Sequence, residues 1–297
     1  MRKSDWLFII LFIFIFIAFF SPEESIFAKE YKNNLFISFS ESNLLRPLEK
    51  LNKNISGISA SSYYSVLIDN NEKVFFQKNI DQKNSIASLS KLMTAVIVLE
   101  KYNLEDKITL SQKAVDTFGS VGNLKAGEIF SIDSLLKMML IESNNDAAEA
   151  LAEKTGRSNF ISLMNKKAFE LNMKDTNFVN PTGLDFNESN ISTINDLKKL
   201  ILYIIEEHPL ISEILSINEI NIHHKIETTN ILLNENNSYV WGKTGFTDKA
   251  GECIVLIMQR PFSNDKNSYI INIIINSKDR FRDARIMEQW IKESFYW

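Results

Sequence analysis

Residues 239–258 read YVWGKTGFTDKAGECIVLIM. Two arms rich in aromatic and β-branched residues flank the polar break "TDKAG" at 247–251, which predicts two strands joined by a turn. The first arm contains Lys243-Thr244-Gly245. The same tripeptide occurs earlier, at Lys154-Thr155-Gly156 inside EALAEKTGRSNF (149–160). That copy falls between two stretches of helical period, and Gly156 sits where a helix-terminating glycine belongs. The strand copy has other uses. A strand offers its backbone edge to an extended peptide, and a glycine there removes a side chain that would block close approach. Lys243-Thr244-Gly245 is therefore the candidate substrate strand, and it needs chemical partners.

Outward from this stretch the pattern is strands, then helices, then strands. SYYSVLIDNNEKVFFQKN (62–79) predicts a hairpin around Asn70-Asn71. SLSKLMTAVIVLEKYN (88–103) is mostly apolar and predicts a buried helix. SIDSLLKMMLIES (131–143) starts with Ser131 as N-cap and Asp133 in its first turn. The next helix, DAAEALAEK (146–154), is expected to be capped by Asp146, and amphipathic helices follow at 158–173 and 192–208. INEINIHH (217–224) and SYIINIIINS (268–277) read as further strands. RFRDARIMEQWIKESFYW (280–297) has helical period through Ile286, Trp290, Ile291 and Phe295, and its SFYW tail is expected to pack the helix on the sheet. The order predicts an α+β fold: an antiparallel sheet made from both chain ends, with an inserted helical region.

A lysine that binds a carboxylate still needs a nucleophile and a base. IASLSKLMT (86–94) supplies Ser88 and Lys91, three apart at a helix start, which puts hydroxyl and amine on one face. Such a lysine acts as a base only when neutral, so burial and a neighbouring cation must lower its pKa, and Lys243 is the expected cation. ESNNDAAEA (142–150) places Ser143 and Asn145 between two helices, the first to relay a proton and the second to hold a substrate amide. Each motif alone is common: "SNDK" at 263–266 and "SIN" at 216–218 match too. Three in order, each in a suitable setting, form the set of serine-lysine acyltransferases.

ASLSKLMTA, SNNDAAEALAE, NPTGLD, STINDL and KTGFTDKAGECIVL resemble, in order, blocks of the low-molecular-weight penicillin-binding proteins, the D-alanyl-D-alanine carboxypeptidases of peptidase family S11. The resemblance runs from about Ser59 to the terminal helix. It implies the β-lactamase/transpeptidase-like fold. It also implies Ser88 as nucleophile, Lys91 as base, and Ser143 and Asn145 as relay and positioner. Lys243, Thr244 and Gly245 would form the substrate-strand edge, and the N–H groups of Ser88 and Phe246 the oxyanion hole. The implied reaction removes the terminal D-Ala from peptidoglycan stem peptides ending in D-Ala-D-Ala through a Ser88 acyl-enzyme, with β-lactams as inhibitors and no cofactor or metal. An endopeptidase on peptide cross-links shares these residues and stays open. A class A-like β-lactamase would need a water-activating carboxylate such as Asp185 or Glu188. A non-catalytic cell-wall binding module would show a broken triad. Asn190 stands where the family often has His, Asn144 where it often has Gly. The family's carboxylate-binding arginine matches Arg280 or Lys278 only by proximity.

Composition bounds the remaining classes. The chain has 297 residues, 45% hydrophobic and 24% charged, with a formal net charge of -4. That balance argues against a nucleic-acid partner. Cys253 is the single cysteine, so no intrachain disulfide forms, and with three histidines a structural zinc site is not expected. Residues 1–28 combine a basic start, the wholly apolar run from Leu7 to Phe20 and a small residue, Ala28. They read as a signal peptide, or as an N-terminal membrane anchor if uncut. Residues 29–55 read as a polar tether with a short helix over NLLRPLEKLNKN (43–54), and 56–297 as the catalytic domain, with no C-terminal β-domain. The expected location is extracytoplasmic, in the cell envelope or periplasm.

Overall fold

The computed structural model describes residues 55–69, 72–117, 119, 124–235, 238–260 and 268–296, with the backbone of Leu48–Glu49. The chain forms two compact units. The smaller comprises Met1–Asn52 with Ser294–Trp297, and in it β1 (Leu48–Glu49) pairs antiparallel with β13 (Phe295–Tyr296). The helix expected over 43–54 is thus a strand at Leu48–Glu49, and its other residues lie outside those described. So does the apolar run from Leu7 to Phe20. Among the described residues no helix is long and apolar enough to cross a membrane.

The larger unit, Lys53–Glu293, contains β2 (Ser62–Ile68), β3 (Glu72–Lys78), β4 (Asn84–Ser85), β5 (Lys107–Thr109), β6 (Ile129–Ser131), β7 (Ile191–Ser192), β8 (Glu219–Asn221), β9 (Lys225–Glu227), β10 (Tyr239–Thr247), β11 (Gly251–Gln259) and β12 (Tyr269–Ser277). Its helices are α1 (Lys91–Lys101), α2 (Gln112–Val115), α3 (Ile132–Ile141), α4 (Asn145–Glu153), α5 (Arg157–Glu170), α6 (Ile194–Glu207), α7 (Pro209–Leu215) and α8 (Arg280–Ser294). The main sheet runs β10-β11-β12-β2-β3, antiparallel at every step, so both ends of the chain do build it. β2 and β3 pair as expected, although the turn residues Asn70 and Asn71 lie outside those described.

Burial explains the strand sequences. β11 and β12 lie inside the sheet with both faces covered, so Cys253–Met258 and Ile270–Ile275 are buried as unbroken runs rather than alternately. Each buried Ile contributes roughly 1.5–3 kcal/mol to holding the sheet against the helices. α6 touches β2 and α7 touches β10. The terminal helix α8 buries Ala284, Met287 and Ile291, while Ile286 and Trp290 from the expected apolar face are only half-buried. Trp290 meets the edge of Phe76 at 5.1 Å between ring centroids. The Asp283 carboxylate accepts from the backbone N–H groups of Ser59 and Ala60 and from Ser277 Oγ, tying α8 to the start of the fold.

Two local expectations change. INEINIHH does not join the main sheet; its Glu219–Asn221 pairs with Lys225–Glu227 in a separate hairpin. α4 begins at Asn145 rather than Asp146, because the Asn144 side chain accepts from Ala147 N at 2.9 Å and takes the cap. Asp146 lies in the first turn, where its charge still complements the helix dipole. Ser131 caps α3 as expected, accepting from Ser134 N.

Candidate active site

Ser88 lies in a 3-10 turn, Ala87–Ser90, that runs directly into α1. The residue before it, Ala87, has φ +45, a left-handed backbone that a Cβ residue adopts only at a cost of order 1–3 kcal/mol. The surroundings hold it there. Gly183, at φ +88, presses so closely that a Cβ on it would stand 1.9 Å from Ala87 O. Gly245 also faces Ser88: a Cβ there would meet Ser88 N at 3.0 Å and Ala87 Cβ at 3.1 Å. The glycine of the strand tripeptide therefore admits the Ser88 backbone itself.

The sequence motifs converge on one cleft of about 570 Å3, lined among others by Ser88, Ser143, Asn145, Thr244, Gly245 and Phe246. Lys91 Nζ donates to Ser88 Oγ at 3.1 Å, to Asn145 Oδ1 at 2.7 Å and to Thr182 O at 2.8 Å. Its side chain is fully buried. Burial, and next the charge of Lys243, hold its pKa well below the usual lysine value, against an opposing pull from Glu149. Lys243 is buried too. Its Nζ donates to Ser143 Oγ at 2.9 Å and to Thr244 O at 3.1 Å. Burial, with the charge of Arg280 second, lowers it to about 7. Ser143 has φ +64, a strained hinge between α3 and α4 that aims its hydroxyl at Lys243. Thr244 Oγ1 lies 2.6 Å from Thr229 Oγ1. Phe246 is 58% exposed at the cleft mouth.

The loop after α5 holds Lys91. Asn180 Oδ1 accepts from Thr182 N and Gly183 N, and Asn190 Nδ2 donates to Asn180 O. Asn190, buried at the position where a His is frequent in the resembled family, thus shapes the loop that presents Thr182 O to Lys91. In sequence the NPTGLD block carries no sign of this contact, since a backbone carbonyl leaves no residue-type signal. Of the two basic candidates, Arg280 lines the cleft and donates Nη1–H to Gly245 O at 2.6 Å. Lys278 is not among the lining residues. Asp185 lines the cleft but is engaged by the hydroxyls of Ser85 and Thr247, and Glu188 is exposed outside it. Cys253 is a buried core thiol, pushed up to about 11 chiefly by burial.

The sequence profile of peptidase family S11, described as D-alanyl-D-alanine carboxypeptidase, matches residues 50–279. The chain belongs to the peptidase S11 family. Within S11-type relatives it is 30% identical, over 78% of this chain and 77% of the relative, to a D-alanyl-D-alanine endopeptidase of Pseudomonas aeruginosa. It is 36% identical, over 51% of this chain and 42% of the relative, to a D-alanyl-D-alanine carboxypeptidase of Bacillus subtilis. A solved structure of penicillin-binding protein D2 from Listeria monocytogenes, in its cefotaxime-bound form, superposes with a TM-score of 0.71 at 30% identity. That match covers 81% of this chain and 98% of the other. The family and its low-molecular-weight penicillin-binding members carry the transpeptidase-like α+β fold and make this chain a serine peptidase.

Proposed function

We propose that this S11 peptidase removes the terminal D-Ala from peptidoglycan stem peptides through an acyl-enzyme on Ser88. The observation that carries the reading is the wholly buried Lys91, 3.1 Å from Ser88 Oγ and beside a second buried cation. Neutral Lys91 takes the Ser88 proton as Oγ attacks the carbonyl between the two D-alanines. Backbone N–H groups of Ser88 and Phe246 receive the charge that develops on the carbonyl oxygen. Lys243 and Thr244 hold the substrate carboxylate, with Arg280 adding charge from the cleft wall beside Gly245. The proton that Lys91 took passes through the Ser143 hydroxyl to the leaving D-Ala nitrogen, which leaves as the free amine and returns Lys91 to its neutral form, and Asn145 orients both Lys91 and the substrate amide. Water then cleaves the ester with Lys91 again as base. β-Lactams acylate the same oxygen.

The Pseudomonas relative's name supports a second reading, an endopeptidase on cross-linked stem peptides, since that match spans 78% of this chain and 77% of the relative. Both substrates lie outside the cytoplasm. Residues 1–28 would direct export there, cut after Ala28 or kept as an anchor; after cell fractionation, a membrane-bound full-length protein marks an anchor and a shortened soluble one marks cleavage. For the chemistry, fluorescent penicillin should form a stable adduct that mass spectrometry maps to Ser88, and Ser88→Ala should release no D-Ala while keeping its fold. Turnover by that variant refutes the nucleophile. Release of D-Ala from a linear pentapeptide, against cleavage of a cross-linked dimer, separates the two readings.

A further inference from the structure

We infer that His224, on the separate β8–β9 hairpin, is a positioning residue for acylation that acts through Glu142 on the Ser143–Asn145 turn. This rests on the acyl-enzyme reading above. Glu142 ends α3, lines the catalytic cleft and has a side chain only 10% exposed. His224 Nε2 lies 3.1 Å from Glu142 Oε2, and Asn144 Nδ2 donates to Glu142 Oε1 at 2.9 Å. The carboxylate accepts at both oxygens, so His224 donates through an Nε2–H. Asn144 is fixed at its other end, where Oδ1 caps Ala147 N.

The turn needs this hold. Ser143 keeps φ +64 between Glu142 and Asn144, and a non-glycine residue stays there only where neighbours over-determine it. The residues on either side of Asn144 face the chemistry: Ser143 meets Lys243, and Asn145 meets Lys91. Thr229 N donates to Ile141 O, so the segment after β9 also grips the end of α3. The adjacent His223 points elsewhere, to Glu128 at 3.3 Å and the edge of Phe130. It makes a control within one turn.

The test uses the full chain and stopped-flow acylation by a reporter penicillin, separating non-covalent binding from the acylation step. His224→Leu keeps the volume without a donor; His224→Gln keeps a donor. We expect His224→Leu to slow the acylation step about tenfold with drug binding unchanged, as for a small misplacement of reacting groups. His224→Gln should recover most of that rate, and His223→Ala should match the wild type. Equal rates for wild type and His224→Leu, equal losses for the Leu and Gln variants, or a loss that tracks weakened drug binding overturn the inference while leaving Ser88 chemistry intact. If His224→Leu does not fold, Glu142→Gln, which cannot accept at both ends, must slow acylation or the inference falls. A wild type that never acylates removes the proposed function and this inference with it.

Discussion

The chain carries Lys-Thr-Gly twice, and the two copies differ in every physical respect. The Lys154 side chain is 29% exposed, pairs with Asp106 at 3.1 Å and lies over the Tyr102 ring at 5.6 Å. Lys243 is 1% exposed, donates to oxygens of Ser143 and Thr244, and has a pKa of about 7. Gly156 serves a backbone need: φ +85 with open space where a Cβ would be. Gly245 serves a packing need, with Ser88 N at 3.0 Å from a hypothetical Cβ. Identical letters thus encode a helix boundary in one place and the wall of the Ser88 cleft in the other.

The sharpest break of this comparison is the lysine pair. Lys243→Ala should lower the penicillin acylation constant about 100- to 1,000-fold, the scale for losing one charged or donor group aimed at the reacting centre. Lys154→Ala should leave that constant unchanged, and equal losses would erase the distinction. Next come the glycines. Gly245→Ala pushes on the Ser88 backbone and should cost about 100-fold in acylation. Gly156→Ala should leave acylation intact but cost roughly 1–3 kcal/mol of stability in a denaturant titration, because the strain is in the backbone.

A pH series sharpens the electrostatic difference. The acylation constant of the free enzyme should rise as Lys91 loses its proton and fall as Lys243 loses its own, from about pH 7 upward. Stability follows a different rule. Lys243 is depressed in the fold from 10.5 to about 7, so between those values the unfolded chain binds more protons and stability rises with pH. The gap in melting temperature between wild type and Lys243→Met should therefore shift in favour of the wild type as pH climbs through that window. The smallest effect belongs to the Lys154–Asp106 pair, worth less than about 1 kcal/mol because it is open to solvent.

Much of the site is legible in the residue order alone. Ser88, Lys91, Ser143, Asn145 and the strand copy of the tripeptide all line or adjoin one cleft, and strands from both chain ends build one sheet. Less legible is everything carried by backbone or by distant partners. Thr182 O reaches Lys91 through a carbonyl that any residue type would present. His224 reads as one polar residue in a strand-like run, and only the separation of the β8–β9 hairpin from the main sheet brings it to Glu142. The cap of α4 falls to Asn144 instead of Asp146 because two nearby residues can each cap, and the geometry of the Ser143 turn chooses between them.

Sequence by itself determined the alternation of apolar periods, and with it the order of strands and helices and the set of polar side chains that gather at the cleft. Local period and residue chemistry are short-range properties, readable within a few neighbours. Tertiary structure alone decided which lysine is buried and which is solvated, because burial and the close approach of Gly245 to Ser88 arise from elements far apart in the chain. A lysine's basicity depends on that burial and on the next cation, so the chemistry of Lys91 belongs to the fold rather than to its motif or its helix.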